Sequence, residues 1–312
     1  MKILIVASVN GGRFSPFVME QTEALKKEGC VIDYYGIKGK GFRGYYSNRG
    51  AYLKKIEEFK PDLIHAHYGL SGLLAVLQNK VPVVITFHNG ETHTFVGNLL
   101  SSIAATRAKH VVYVAEHIRM LSYYKAKKYT IIPCGINLSD CNITPFEEAR
   151  KQLGFDKNKK YILFGGAFDN LRKNFPLLKA GIELLPNKDD IVCLEMKGLS
   201  RAECTLKMCG CDLFALPTKS EGSPQALKEA MACNCPIIAT DVADIKHLLG
   251  DVEGHYVCSF DPKDVASKVA KALAFGKRTN GRERVTALGL TNDLVAKKLL
   301  AIYNNVLNIN NR

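Results

Sequence analysis

Short apolar runs alternate with amphipathic stretches along the whole of this chain, and that rhythm limits the fold more than any single motif does. A first series comprises Ile3–Ser8, Val31–Tyr34, Leu63–Ala66, Val83–Phe87, Val111–Val114 and Ile131–Pro133. A second comprises Tyr161–Phe164, Ile191–Glu195, Leu213–Leu216, Ile237–Ala239 and His255–Cys258. Between the runs lie segments such as FVMEQTEALKKEG and DVASKVAKALAFG, whose apolar residues recur at helical spacing. Strands apolar on both faces and separated by helices build parallel sheets covered on two sides. The polar stretch NLSDCNITPFEEARKQLGFDKNKK, residues 137–160, divides the two series. We therefore expect an α/β architecture of two Rossmann-like, doubly wound domains facing each other across a cleft. The expected domains are 1–140 and 141–312, with the last helix, about 290–312, packing back on the first, and 312 residues are enough for both.

Ligands of such sheets bind beyond the carboxyl ends of the strands, so candidate residues are sought there. The stretch EGSPQALKEAMACNCPIIATD, residues 221–241, places two glutamates around a Ser-Pro. Ser223 is a favoured N-cap and Pro224 suits a first helical position, which starts a helix there. Ala226, Leu227, Ala230 and Met231 form its buried stripe. Glu221 then borders the helix N-terminus, and Glu229 on the second turn leans back toward it. With Gly222 allowing close approach, this is a pocket for an anion held between two carboxylates, such as a phosphorylated sugar compound. In FGGAFDNLRKNFPLL, Gly165 and Gly166 keep the backbone open, and Arg172 and Lys173 begin the next helix, placed to neutralise a diphosphate.

In the first domain, Gly11 and Gly12 allow a tight turn into a helix whose N-terminus suits a phosphate or a sugar hydroxyl. Asp33 follows at the distance of a dinucleotide-binding acid, but without the glycine triplet. His88 stands at the exit of VPVVITF, pointing into the cleft, where an imidazole suits hydrogen bonding or proton handling. Of His65 and His67, one is expected in the core and the other lining the cleft, in preference to a metal pair.

Composition adds two constraints. The formal charge is +13, and residues 38–55 hold six Lys/Arg and four aromatics without an acid. That segment reads either as a solvated loop or as a surface for anionic lipid headgroups, with Phe42, Tyr45 and Tyr46 at the interface. Nucleic acid is the weaker alternative, since no recognition motif accompanies the charge. The ten cysteines are expected as free thiols, and the spacing of Cys209 with Cys211 and of Cys233 with Cys235 does not suit zinc. MKILIVASVN reads as a buried first strand rather than a secretory leader, so a cytoplasmic protein is expected.

The chain resembles a GT-B glycosyltransferase of the large retaining family 4, of the bacterial surface-polysaccharide type. The resemblance spans nearly the whole length. It is carried by the E-x7-E segment CDLFALPTKSEGSPQALKEAMACNCPIIATD and, more weakly, by PDLIHAHYGLSGLLA, VPVVITFHN and IIPCGIN. It implies transfer of a hexose or N-acetylhexosamine from a nucleotide sugar, UDP-linked in the first instance, to a lipid-linked or polysaccharide acceptor, with retention. Glu229 would bind the ribose, Glu221 would lie by the donor sugar, and the Gly222, Ser223 and Pro224 backbone by the diphosphate. Lys173 with Arg172 would stabilise the leaving group, His88 would hold sugar hydroxyls, and Gly12 would contact phosphate or acceptor. Gly11, Arg43, Tyr45 and Tyr46 fall on the acceptor or membrane side. No metal or other cofactor is implied and no nucleic-acid partner, while peripheral contact with the anionic inner face of a membrane is.

Two departures stand out. The arginine that the family carries ahead of the lysine is Ala167 here, which leaves Arg172 to replace it. The segment IVCLEMKGLSRAECTLKMCG is also short where relatives contact the base. Alternatives are a nucleotide-sugar 2-epimerase on a similar fold and a non-catalytic membrane-binding relative.

Overall fold

The computed structural model describes residues 1–90 and 94–310. In chain order the elements are β1 (Lys2–Ser8), α1 (Pro16–Lys27), β2 (Val31–Ile37), α2 (Gly41–Tyr46), α3 (Arg49–Phe59), β3 (Leu63–His67), α4 (Gly69–Ala75), β4 (Val83–Phe87), α5 (Phe95–Arg107), β5 (His110–Tyr113), α6 (Glu116–Leu121) and β6 (Tyr129–Ile131). They continue with α7 (Phe146–Leu153), β7 (Lys160–Phe164), α8 (Phe175–Ile182), β8 (Ile191–Glu195), α9 (Arg201–Gly210), β9 (Leu213–Leu216), α10 (Gln225–Ala232), β10 (Ile237–Thr240), α11 (Ile245–Leu249), β11 (His255–Cys258), α12 (Pro262–Phe275), α13 (Gly281–Ala287) and α14 (Asn292–Asn310). Every apolar run of the sequence is a strand. The ends shift by up to three residues: β2 extends to Ile37, and β6 starts at Tyr129 and shares only Ile131 with its expected run.

The chain forms two compact units, one of Met1–Gly135 with Asn292–Arg312 and one of Ile136–Thr291. The division falls a few residues ahead of the expected position, because Ile136 already belongs to the second unit through its parallel bridge to Thr291. The first unit holds a six-stranded sheet in the order β2-β1-β3-β4-β5-β6, the second a five-stranded sheet in the order β11-β10-β9-β7-β8. All pairings are parallel. The central strands are buried on both faces, as their unbroken apolar runs require.

In the first unit, α3, α4, α5 and α6 contribute to the core on one face of the sheet. Helices α1 and α14 cover the other, with Val295, Leu299 and Tyr303 packed against Ile3, Ile5 and Val84. The strand order places the reversal of winding between β1 and β3 in the first unit and between β7 and β9 in the second. Loops leaving adjacent strands at such a reversal diverge, and the gap between them is where these sheets take ligands.

Candidate functional site

The second unit builds its site at the reversal between β7 and β9. Beyond β7, a Cβ on Gly165 would stand 2.7 Å from the Phe214 ring, and one on Gly166 would stand 2.8 Å from Lys173 Cγ. Glycine is therefore needed here for close approach, and it lets the Lys173 stem lie against the strand exit. Arg172 and Lys173 do not begin the helix as expected. They occupy the turn before it, with Asn174 in the left-handed conformation as the cap of α8. The Lys173 amide bonds to the Asn170 carbonyl at 2.9 Å, closing that turn.

The loop after β9 is fastened to this turn. The Lys219 amide donates to the Arg172 carbonyl at 2.9 Å, and the Thr218 hydroxyl donates to the same oxygen at 3.3 Å. The fastening brings Glu221 between the two cations: Lys173 Nζ lies 2.7 Å and Arg172 Nη1 3.0 Å from Glu221 Oε1. The glutamate is 8% exposed, and the two cations offset the loss of water around it.

Helix α10 follows one residue later than the sequence suggested. Pro224 is the N-cap, without a side-chain capping bond, and Gln225 is the first helical residue. Ser223 does not cap the helix; its hydroxyl accepts from the fully buried Lys228 ammonium at 3.0 Å. Gly222 is half-buried beside it, and Leu227, Ala230 and Met231 make the buried stripe. Glu229, on the second turn, is held by Arg201 at 3.2 Å, and Arg201 is in turn held by Asp140 at 2.9 Å. Both Asp244 carboxylate oxygens are buried nearby, and burial pushes that carboxyl up to about 6, partly offset by the Lys228 charge. Sequence reasoning missed Arg201, Lys228 and Asp244. A Ser200–Glu203 capping box does mark the start of α9 and could have placed Arg201 at a helix N-terminus, but not against Glu229.

In the first unit, Gly12 has φ +85° and both Gly11 and Gly12 face open space. Their turn lies short of the helix, which starts at Pro16, so neither sits at its N-terminus. His88 follows β4. Its ring packs against Phe17, Tyr68 and His67, with Nε2 3.0 Å from His67 Nδ1 and Nδ1 3.6 Å from Cys134 Sγ. Burial, then His67, holds the His88 imidazole well below its usual range, so it is a neutral hydrogen-bonding group rather than a proton carrier near pH 7.

His65 and His67 are both fully buried, so neither is the solvent-lining residue expected. His65 bonds Tyr303 Oη at 2.6 Å and Thr86 Oγ1 at 2.7 Å, and burial lowers His67 to about 3. Asp33 pairs with Lys55. Residues 38–55 are not one exposed loop: Arg43 and Tyr46 are exposed and Phe42 stacks on Tyr46, but Tyr45 is half-buried against the core and Tyr52 is buried outright.

Two families match the chain, Glycosyltransferase Family 4 over residues 16–140 and Glycosyl transferases group 1 over residues 159–274. Sucrose-phosphate synthase from Thermosynechococcus elongatus superposes with a TM-score of 0.82 over 99% of this chain and 100% of that one, at 18% identity. The chain belongs to the GT4-type glycosyltransferases of GT-B fold. HepE from Anabaena, solved in complex with UDP, has a TM-score of 0.78 at 12% identity over 98% and 100% of the two chains. At such identities these likenesses establish the fold of the glycosyltransferase and nothing finer. A putative teichuronic acid biosynthesis glycosyltransferase of Bacillus subtilis, TuaC, is 29% identical over 70% of this chain and 62% of its own length. The glycosyltransferase thus spans less than two thirds of that relative.

Among the described residues of the glycosyltransferase, no three His, Cys, Asp or Glu side chains are grouped to hold a metal ion. None of its described helices is long and apolar enough to cross a membrane. All ten cysteines are free thiols.

Proposed function

We propose that this glycosyltransferase moves a hexose or N-acetylhexosamine from a UDP-linked sugar to a lipid-linked or polysaccharide acceptor, with retention, in the assembly of cell-surface polysaccharide. The observation that carries the reading is the Lys173–Glu221–Arg172 cluster at the strand reversal of the second unit. Two cations sharing one buried carboxylate are held in place until an anion arrives. A nucleoside diphosphate entering the gap takes over Lys173 and Arg172, and Glu221 turns to the hydroxyls of the sugar. The bond between the sugar's anomeric carbon and the diphosphate breaks as the acceptor oxygen bonds that carbon. The acceptor proton passes to the departing phosphate oxygen.

Lys173 stabilises the negative charge that grows on that oxygen, the task a metal performs elsewhere, so the reaction is proposed to need none. Glu229, aligned by Arg201, takes the ribose hydroxyls, and the backbone of Gly222, Ser223 and Pro224 takes phosphate oxygens. In the first unit, His88 is the neutral partner for sugar hydroxyls, with Gly11, Gly12 and the Arg43–Tyr46 segment on the acceptor side. A relative whose name places it in teichuronic acid biosynthesis and a neighbour that binds UDP-glucose support the donor and the pathway.

Thermal-shift titration with UDP, GDP and ADP and their sugars, in EDTA, tests the donor. A ligand at 100 times its Kd stabilises by about 2.7 kcal/mol. A UDP-specific shift that persists in EDTA supports the reading, and the absence of any nucleotide shift overturns it. Release of isomerised donor without transfer would indicate an epimerase instead.

A further inference from the structure

Helix α5 is built inside out. Its buried residues are Asn98, Ser101, Ser102, Ala104 and Ala105, all polar or small. Phe95, Val96, Leu99 and Ile103 point outward and are between 39% and 69% exposed. An ordinary surface helix has the opposite pattern. The buried polar groups have a definite task. Asn98 donates to the Leu121 carbonyl at 2.8 Å and accepts from the Tyr123 amide at 3.0 Å, and Ser102 accepts from the Tyr124 amide at 3.1 Å. These bonds fix residues 121–124 alongside the helix and hold Met120, Leu121 and Tyr123 on the outer surface, each more than half exposed. The Phe95 and Tyr123 rings meet at 5.5 Å, so the two segments share one apolar face.

The charge around that face has one sign. Residues 94–130 carry Arg107, Lys109, Arg119, Lys125, Lys127 and Lys128 against one acid, Glu116, which Arg119 pairs. Arg107 continues the Leu99–Ile103 stripe by one turn. It also lines, with Lys80, Lys109 and Asp62, a cavity of about 680 Å³ at the amino ends of β3, β4 and β5. The Lys128 carbonyl bonds to the Val111 amide, which places Lys128, just ahead of β6, beside the start of β5, which Lys109 precedes. Apolar side chains of this size, rimmed by six cations against a single, paired acid in the same segment, match the layered chemistry of an anionic bilayer, with acyl carbon below and phosphate above.

We propose that the outer face of α5 with residues 120–128 docks the protein on an anionic lipid bilayer. The α2 segment, with Phe42 stacked on Tyr46, packs on α4, which also contacts α5. The inference supplies the bilayer contact that a lipid-linked acceptor requires and to that extent rests on the proposed function. Its test uses neither donor nor acceptor, so the two fail separately.

The test is co-sedimentation of the full chain with phosphatidylcholine vesicles, with and without phosphatidylglycerol, over a range of salt. Wild type is expected to bind only the anionic vesicles, and less at high salt. Leu99→Ser with Ile103→Ser, and separately Lys125→Glu with Lys127→Glu, should each weaken partitioning by roughly tenfold or more with the Tm unchanged, since all four side chains are exposed. Binding that survives both pairs, or is lost only in Phe42→Ser with Tyr46→Ser, overturns the assignment. So does a dimer in sedimentation that Leu99→Ser with Ile103→Ser dissociates, because the face would then join two copies of the chain.

Discussion

Lys173 Nζ and Glu221 Oε1 lie 2.7 Å apart across a sequence separation of 48 residues. They meet because the strands that deliver them, β7 and β9, are neighbours at the point where the sheet reverses its winding. The proposed chemistry depends on the lysine changing partner, from this carboxylate to a diphosphate. Lys173→Ala should therefore lower kcat by roughly 10²–10³-fold, the usual loss of one charge-stabilising donor. Arg172 remains at 3.0 Å to hold Glu221, so the Tm should change little. Steady-state kinetics beside a melting curve check both, and an unaltered kcat would remove Lys173 from the mechanism.

Arg201 acts through Glu229. Glu229→Ala should weaken UDP binding by about 1–3 kcal/mol, the cost of leaving buried partners unpaired. Arg201→Ala should weaken it less, because the carboxylate survives and loses only its alignment. Calorimetric titration of both single variants and the double variant measures the coupling. Strictly additive losses would show that the 3.2 Å contact does not orient the glutamate.

The histidines of the first unit make its stability sensitive to acid. In the unfolded chain they titrate near 6.5, whereas burial holds folded His67 down to about 3 and lowers His65 and His88 as well. Below pH 6.5 the unfolded state takes up protons that the folded state refuses, so stability falls as pH falls from there toward 3. Each histidine contributes a slope of up to about 1.4 kcal/mol per pH unit. His67→Asn should reduce that slope by one proton. Urea unfolding at several values between pH 7.5 and 5 reads it directly, whatever the variant does to stability at a single pH.

Asp244 works in the opposite sense. Its folded carboxyl is raised to about 6 from an ordinary 3.8, so the folded state holds a proton that the unfolded state has lost. Its contribution is favourable below 3.8 and disappears as pH rises through 6. Asp244→Asn should therefore raise the Tm at pH 7.5 and make no difference near pH 4. A variant destabilised at pH 7.5 and not at pH 4 would mean that the charged form is stabilised by a partner such as Lys228 beyond the cost of its burial.

Both sheets were legible in the sequence because parallel strands buried on two faces leave short unbroken apolar runs, here set apart by stretches of helical period. Glycine spacing and the glutamate pair marked the strand ends at which the Lys173–Glu221–Arg172 cluster lies. What stayed hidden depends on neighbours distant in the chain. Ser223 looks like a cap until Lys228 is seen to claim its hydroxyl, and Arg172 and Lys173 look like a helix start until Asn170 closes the turn ahead of them. The orientation of α5 is not written in its own residues. Only the backbone of residues 121–124, waiting for Asn98 and Ser102, shows that its polar side faces inward.

The return of α14 to the first sheet reverses the order in which the chain can be completed. Synthesis delivers Met1–Gly135 first, yet one face of that sheet is covered by α1 alone until Val295, Leu299 and Tyr303 emerge. The segment Ile136–Thr291 arrives later but is continuous, with its two ends bridged to each other, and has nothing further to wait for. On a ribosome the first unit would be an unfinished client, exposing Ile3, Ile5 and Val84, while the second matures ahead of it. Holdase chaperones that recognise such strands would find their substrate in the nascent amino-terminal half and lose it when the last helix docks.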